Sequence, residues 1–362
     1  MKFAIDVSQA VYETGVSVYT RELVAAMLTQ LKTEESLFLY AGVLRRKENI
    51  VNFINNLSKS SFSSGIFPIP PTAADIFFNR LHFVPIDFFI GKCNVFHSSD
   101  WTQPKSSAAK ITTVHDLAPL KYPKYTDKSI QAVHARRLAI VRKEVDVVIV
   151  PSESTKLDCI EYGIDEKRLV VIPEAVASNF RKAQKIEIEA VLKKYQLPAN
   201  YALVIGTAHR KNLPRIAKAF LQIQEKSKLD QLVVVGRKTD DVENNKYLHM
   251  LGNVPFEDLS PLYTGASVLV YTSLYEGFGL PILEAFVTET PVVTSDVSSM
   301  PEAAGNAAIL VDPLSIDDIA DGILDALQKR SLLVKSGMKQ VKSFSWIKAA
   351  TETLAVYRQS SV

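Results

Sequence analysis

The stretch Thr272-Ser273-Leu274-Tyr275-Glu276-Gly277-Phe278-Gly279-Leu280-Pro281-Ile282-Leu283-Glu284-Ala285 decides how the rest of the chain is read. It follows an apolar run, Val268 to Tyr271, and leads into a helical pattern whose first turn carries Pro281. Proline is favoured at the first helical position, where its missing N–H costs nothing. Gly277 and Gly279 permit positive φ or close approach of the backbone to a ligand. The unit reads as a strand, a glycine-bearing loop and a helix. Free N–H groups at such a helix start, with the positive end of the dipole, make an anion site. Glu276 in the loop and Glu284 in the first helical turn are carboxylates that would accept from sugar hydroxyls beside that anion. The plain alternative is a strand–turn–helix whose acid only stabilises the dipole.

Outward from this segment, short apolar runs alternate with longer helical patterns. The first half predicts strands over Phe3 to Val7, Leu37 to Ala41, Asn94 to His97, Lys110 to Val114 and Val145 to Val150. Helices fall over Val16 to Leu31 and Ser129 to Lys143. The second half predicts strands over Ala202 to Ile205, Leu232 to Val235, Val268 to Tyr271, Pro291 to Thr294 and Ala308 to Val311. Its helices cover Leu213 to Glu225, Pro281 to Val287 and Ile316 to Gln328. Such alternation implies βαβ units and parallel sheets covered on both faces. A chain of 362 residues exceeds one ordinary core,. Two Rossmann-like α/β domains facing each other across a cleft are expected, over 1–175 and 176–344. The hinge is placed near Pro173 to Ser178, and the amphipathic helix at 345–360 could fold back on the first domain. Ligands of open α/β sheets bind beyond the carboxyl ends of the strands, so the following loops are where chemistry is sought.

Composition narrows the function. Apolar residues make 47% and charged residues 22% of the chain, a globular balance,. Forty-two Lys and Arg against 39 Asp and Glu leave a net +3, which gives no case for nucleic acid as a partner,. Cys93 and Cys159 stand far apart and do not spell a metal site,. The acid at Asp6 interrupts any signal-peptide core, and no uncharged run approaches the ~20 residues of a membrane span,. A cytoplasmic location follows as the expectation, with peripheral contact at the inner membrane left open.

The 272–285 segment resembles the E-x(7)-E signature of the retaining glycosyltransferases of family 4, which have the GT-B architecture. The resemblance implies that Glu276 contacts the transferred sugar and that Glu284 binds the ribose of the nucleotide. It further implies that the backbone of Gly277, Phe278, Gly279 and Leu280 holds the diphosphate. The segment Gly206-Thr207-Ala208-His209-Arg210-Lys211-Asn212 is similar to the family's G-T-x-E-P-R-K-N pattern, with Ala208 and His209 in place of Glu-Pro. That likeness puts Lys211, with Arg210, on the leaving diphosphate. Thr113-Val114-His115-Asp116-Leu117 looks like the family's H-D-L motif, which makes His115 a residue of the donor–acceptor junction and Asp116 a positioning group. Gly15 stands alone in the first β–α turn, where relatives carry two glycines, and would let backbone approach the diphosphate. Val170 to Val176 looks like the interlobe linker.

The function implied is retaining transfer of a hexose from a nucleoside-diphosphate sugar to a hydroxyl of a glycan or lipid-linked saccharide, in polysaccharide or O-antigen assembly. GDP-mannose is the favoured donor, ahead of UDP-glucose or UDP-N-acetylglucosamine. No cofactor or metal is called for, and Asp240-Asp241 reads as a solvated loop rather than a metal pair. The basic stretch Arg136-Arg137 with Arg142-Lys143 reads as a solvated helix face, or as a contact for anionic lipid or a lipid-diphosphate acceptor. Two other classes stay open from the residues alone. One is a sugar-nucleotide epimerase of the same architecture; the other is a non-enzymatic two-lobed sugar-binding protein.

Overall fold

Parallel pairing runs through both sheets of the computed structural model, which describes residues 1–12, 14–57, 62–242 and 245–361. The first sheet contains β1 (Lys2–Asp6), β2 (Ser36–Gly42), β3 (Phe62–Phe67), β4 (Val95–Ser98), β5 (Ala109–Thr113), β6 (Val147–Val150) and β7 (Leu169–Val171). Its order is β3-β2-β1-β4-β5-β6-β7. The second contains β8 (Tyr201–Ile205), β9 (Gln231–Val235), β10 (Leu248–Gly252), β11 (Val268–Tyr271), β12 (Val292–Ser295) and β13 (Ile309–Val311), in the order β10-β9-β8-β11-β12-β13. Numbered from its own first strand, each sheet begins in the 3-2-1-4-5-6 doubly wound order. The strand order reverses between β1 and β4 in one sheet and between β8 and β11 in the other.

The chain forms two compact units: Met1–Ala177 with Ser345–Val362, and Ser178–Phe344. In the second unit Val204, Val234, Val268 and Val270 of the strands meet Ile216, Phe220, Ile319 and Ile323 of the flanking helices in one buried cluster. These strands are apolar on both faces because helices cover both. In the first unit a comparable cluster gathers Val148 and Val150 with Leu138, Val141 and Cys159. The helix Trp346–Ser360 begins at Ser345, whose hydroxyl accepts from Lys348 N at 3.1 Å, a serine N-cap,. It returns to the first unit, where Tyr357 is fully buried against Phe3.

Most predicted elements stand within about two residues of their expected limits. Three readings change. Val170 and Val171, read as linker, are edge strand β7, paired with Ile149 and Val150. A three-residue strand carries too little alternation to read. β3 and β10 were not anticipated either: β3 holds Ser63, Ser64 and Gly65, and every residue of β10 is half-buried. The basic stretch on the helix Lys128–Glu144 is not a solvated face. Arg137 is fully buried and Arg136 pairs with buried Asp75 at 2.7 Å, leaving only Arg142 and Lys143 exposed. No helix among the described residues is long and apolar enough to cross a membrane.

Candidate active site

The loops after β8 and β11 leave the second sheet at its switch point, and the predicted charges meet there. After β8, Gly206 (φ +89°) turns the chain, and His209–Lys211 forms a single 3-10 turn. Asn212 closes it in the left-handed region (φ 63°), and its amide donates to Thr272 O at 3.0 Å and Pro313 O at 2.6 Å. The two loops are tied further by Leu274 N, which donates to Arg210 O at 2.7 Å. This fastening delivers Arg210 and Lys211 to Glu276. Arg210 Nη1 donates to Glu276 Oε2, while Lys211 Nζ lies 2.6 Å from Oε1. Lys211 also donates to the Tyr271 hydroxyl at 2.7 Å and lies 4.5 Å from that ring's centroid.

Glu276 is 6% exposed. Burial pushes its carboxyl up, but the charges of Lys211 and Arg210 outweigh it and hold the pKa below the ordinary carboxylate value,. Its backbone is pinned as well: Ser298 and Ser299 hydroxyls donate to Glu276 O at 2.7 and 3.0 Å. Phe278 is committed to packing, its ring edge-on to Phe344 at 5.6 Å. Gly279 has φ +113°, and a Cβ there would come within 3.2 Å of Ile282, so the helix start admits only glycine without strain,. The helix runs Leu280–Val287, which places Glu284 a full turn in rather than in the first turn. Tyr263 donates to Glu284 at 2.6 Å; burial nevertheless raises this carboxyl above its ordinary value, with Lys211 near enough to oppose the rise.

In the first unit, His115 follows β5. Its Nδ1 lies 2.8 Å from a carboxylate oxygen of Glu174, and Tyr19 packs edge-on against the ring at 4.5 Å. Burial favours the neutral imidazole, but the hydrogen bond and charge of Glu174 raise the pKa above the ordinary value. Asp116 serves locally, accepting from Ala118 N at 2.8 Å. Gly15 is the exposed first residue of the helix Gly15–Gln30, capped by Thr14, and this helix supplies Tyr19.

The structure thus brings Arg210, Lys211 and Glu276 into one cluster with Glu284 close by, and places Gly15 and His115 in the other unit. Four participants were missed. Glu174 sits in a segment read as linker; Tyr271 was placed only as the end of a strand, and Tyr263 was given no part. Gly206 was quoted within its motif without a role, yet a Cβ there would approach the Lys211 side chain to 3.1 Å. Only that glycine, directly after a strand, carried a readable signal. Asp240 and Asp241 are exposed, and among the described residues no three His, Cys, Asp or Glu are grouped to hold a metal.

Comparison with known proteins bears on both units. Residues 14–180 match the profile of Glycosyltransferase Family 4, and residues 199–329 match that of Glycosyl transferases group 1. The chain is 32% identical to O-antigen chain mannosyltransferase B of Escherichia coli over 73% of this chain and 74% of that protein. It is 33% identical to O-antigen chain mannosyltransferase RfbU of Salmonella typhimurium over 56% of each. In fold it is similar to sucrose-phosphate synthase from Thermosynechococcus elongatus, with a TM-score of 0.72 over 99% of this chain and 98% of that one, at 18% identity. The doubly wound sheets and these likenesses agree: the chain belongs to the family 4, group 1 glycosyltransferases and is a glycosyltransferase of GT-B fold.

Proposed function

We propose that the enzyme transfers mannose from GDP-mannose, with retention of anomeric configuration, to a hydroxyl of a glycan or lipid-linked saccharide during surface-polysaccharide assembly. The observation that carries this reading is the convergence of Lys211, Arg210 and Glu276 at the β8/β11 switch point. Two cations and a helix N-terminus suit a diphosphate, and a carboxylate between them suits a sugar. The mannosyltransferase names of the relatives support the choice of sugar.

In this mechanism the diphosphate competes with Glu276 for Lys211 and Arg210. As the cations turn to phosphate oxygens, with the N–H groups from Gly277 to Leu280 behind them, Glu276 is released to accept from a sugar hydroxyl. Glu284 takes the ribose. The bond from the anomeric carbon to the phosphate oxygen breaks, and the departing charge is met by Lys211 and Arg210, electrostatic stabilisation being commonly the largest catalytic effect. The acceptor oxygen bonds the same face of that carbon, and its proton passes to the leaving phosphate oxygen. His115, in the first unit, orients a sugar hydroxyl and in its neutral form helps to stabilise the developing positive charge, while Gly15 lets the backbone approach the diphosphate. No cofactor or divalent ion is required by these steps.

Calorimetric titration with GDP-mannose, UDP-glucose and UDP-N-acetylglucosamine tests the donor. GDP-mannose should bind tightest, and Lys211→Met should weaken it at least about tenfold, the loss of one charge-assisted contact. Unchanged affinity in that variant, or preference for a UDP-sugar, would contradict the assignment.

A further inference from the structure

The C-terminal helix Trp346–Ser360 opens on a tryptophan that is 8% exposed and has no part in the reaction proposed above. Its indole N–H donates to Val176 O at 2.9 Å, and its ring meets Tyr19 edge-on at 5.8 Å. Residues 172–177 form neither helix nor strand, and the chain passes into the second unit directly after them. It returns to the first unit at Ser345, one residue before Trp346. Ends of a compact unit fray unless something ties them down. The bond from Trp346 to Val176 fastens these two ends to each other.

The pair of His115 and Glu174 hangs on that fastening. Glu174 is 5% exposed, stands two residues before Val176, and holds a carboxylate oxygen 2.8 Å from His115 Nδ1. Tyr19, the other residue that Trp346 meets, packs edge-on against the His115 ring at 4.5 Å. The Tyr19 hydroxyl lies 2.9 Å from that of Thr113, two residues before His115. Trp346 thus reaches the imidazole by two routes, through Val176 to the carboxylate and through Tyr19 to the ring. Other elements supply the remaining charged and titratable groups around it. Asp100 and Asp116 raise its pKa along with Glu174; His97 stands near, as does Arg137, which donates to Thr113 O at 2.8 Å and pairs with Asp100.

We propose that Trp346 is a positioning residue, which holds Glu174 on Nδ1 of His115 and Tyr19 against the imidazole ring. The positioning stands on these contacts alone; its consequence for catalysis rests on the part given to His115 in transfer. A group serving a reacting centre must be held to within about 0.5 Å, and packing and hydrogen bonds behind it do the holding.

NMR titration of the histidine-labelled chain tests the role. The chain has six histidines, and the ring signal missing from His115→Gln is that of His115. Trp346→Phe removes the indole N–H and keeps an aromatic ring for Tyr19. With its segment untied, Glu174 supports the imidazolium less, so the His115 pKa should fall by about half a unit or more. In transfer assays kcat should fall about threefold or more with the donor KM within about twofold. The acidic limb of the pH–rate profile should move to lower pH. In a Glu174→Gln background Trp346→Phe should leave the His115 pKa in place, because the group it positions is gone. Arg358→Gln is the control: it breaks the 2.7 Å pair with Glu35 at the far end of the same helix and should leave His115 unmoved. One arm needs no substitution at Trp346, since of the two indole N–H signals its own should move with the His115 titration. An unshifted His115 pKa in Trp346→Phe, an equal shift in Arg358→Gln or in the Glu174→Gln background, or a flat Trp346 indole signal overturns the positioning role. If the His115 pKa falls while kcat and the pH–rate profile match the parent, the positioning stands and the part of His115 in transfer falls. If the parent transfers no sugar from GDP-mannose, the transfer reading falls and the titrations alone decide the positioning.

Discussion

Glu276 stays ionised in a buried place because Lys211 and Arg210 are brought to it by two loops fastened to each other. Its proposed sugar role predicts that Glu276→Gln, which keeps the shape and removes the charge, lowers kcat about 100-fold or more, as misplacement at a reacting centre does. Steady-state kinetics with circular dichroism as the fold control checks it. His115 makes a different prediction through its partner. Glu174 raises the imidazole pKa, so the pair's stabilisation is complete below the ordinary value of about 6.5 and is lost as pH rises through the elevated one,. Glu174→Gln should therefore shift any histidine limb of the pH–rate profile to lower pH and flatten the stability difference between pH 6 and 9. An unmoved profile would remove Glu174 from the site. Neither partner of the dyad was equally legible: His115 announces itself at a strand end, whereas Glu174 is joined to it only by the fold.

At the scale of elements, the strand–loop–helix over 268–287 was readable because each local rule points the same way. A β-branched run, two glycines and Pro281 agree on one conformation. The loop after β8 was readable only in part. Its cations stand out in the sequence, but the reason they point at Glu276 lies in Gly206 and in Asn212, whose side chain bridges to Thr272 and Pro313. Gly206→Ala places a Cβ against Lys211 at a positive φ. It should cost about 1 kcal/mol in denaturant unfolding and weaken GDP affinity in calorimetry, the second effect separating Lys211 displacement from simple backbone strain. The basic helix shows the opposite failure. Periodicity alone cannot distinguish an exposed arginine from Arg137, whose guanidinium donates to Thr112 and Thr113 O at 2.8 Å and pairs with Asp100 at 3.1 Å.

For the whole molecule, the alternation of strands and helices made two doubly wound sheets legible, while the edge strands β3, β7 and β10 escaped because pairing at a sheet edge needs little hydrophobic pattern. The C-terminal helix matters beyond its own packing. Tyr357 lies 2.7 Å from His97 Nδ1, and His97 Nε2 lies 2.9 Å from the Thr113 hydroxyl, which Tyr19 also meets at 2.9 Å. Burial holds His97 neutral, its pKa down to about 3. Tyr357→Phe leaves one buried ring nitrogen unmet and should cost about 1–3 kcal/mol in chemical denaturation; a loss below a few tenths would show the network to be incidental. Retaining transfer from a nucleotide sugar at the Lys211–Glu276 site is the reaction proposed for this chain. Its most direct test is NMR observation of the enzyme with GDP-mannose labelled at the anomeric carbon and a saccharide acceptor. Retention predicts release of GDP with an α-linked mannosyl product, lost in Glu276→Gln; a β-linked product, or donor isomerised without acceptor, would contradict it.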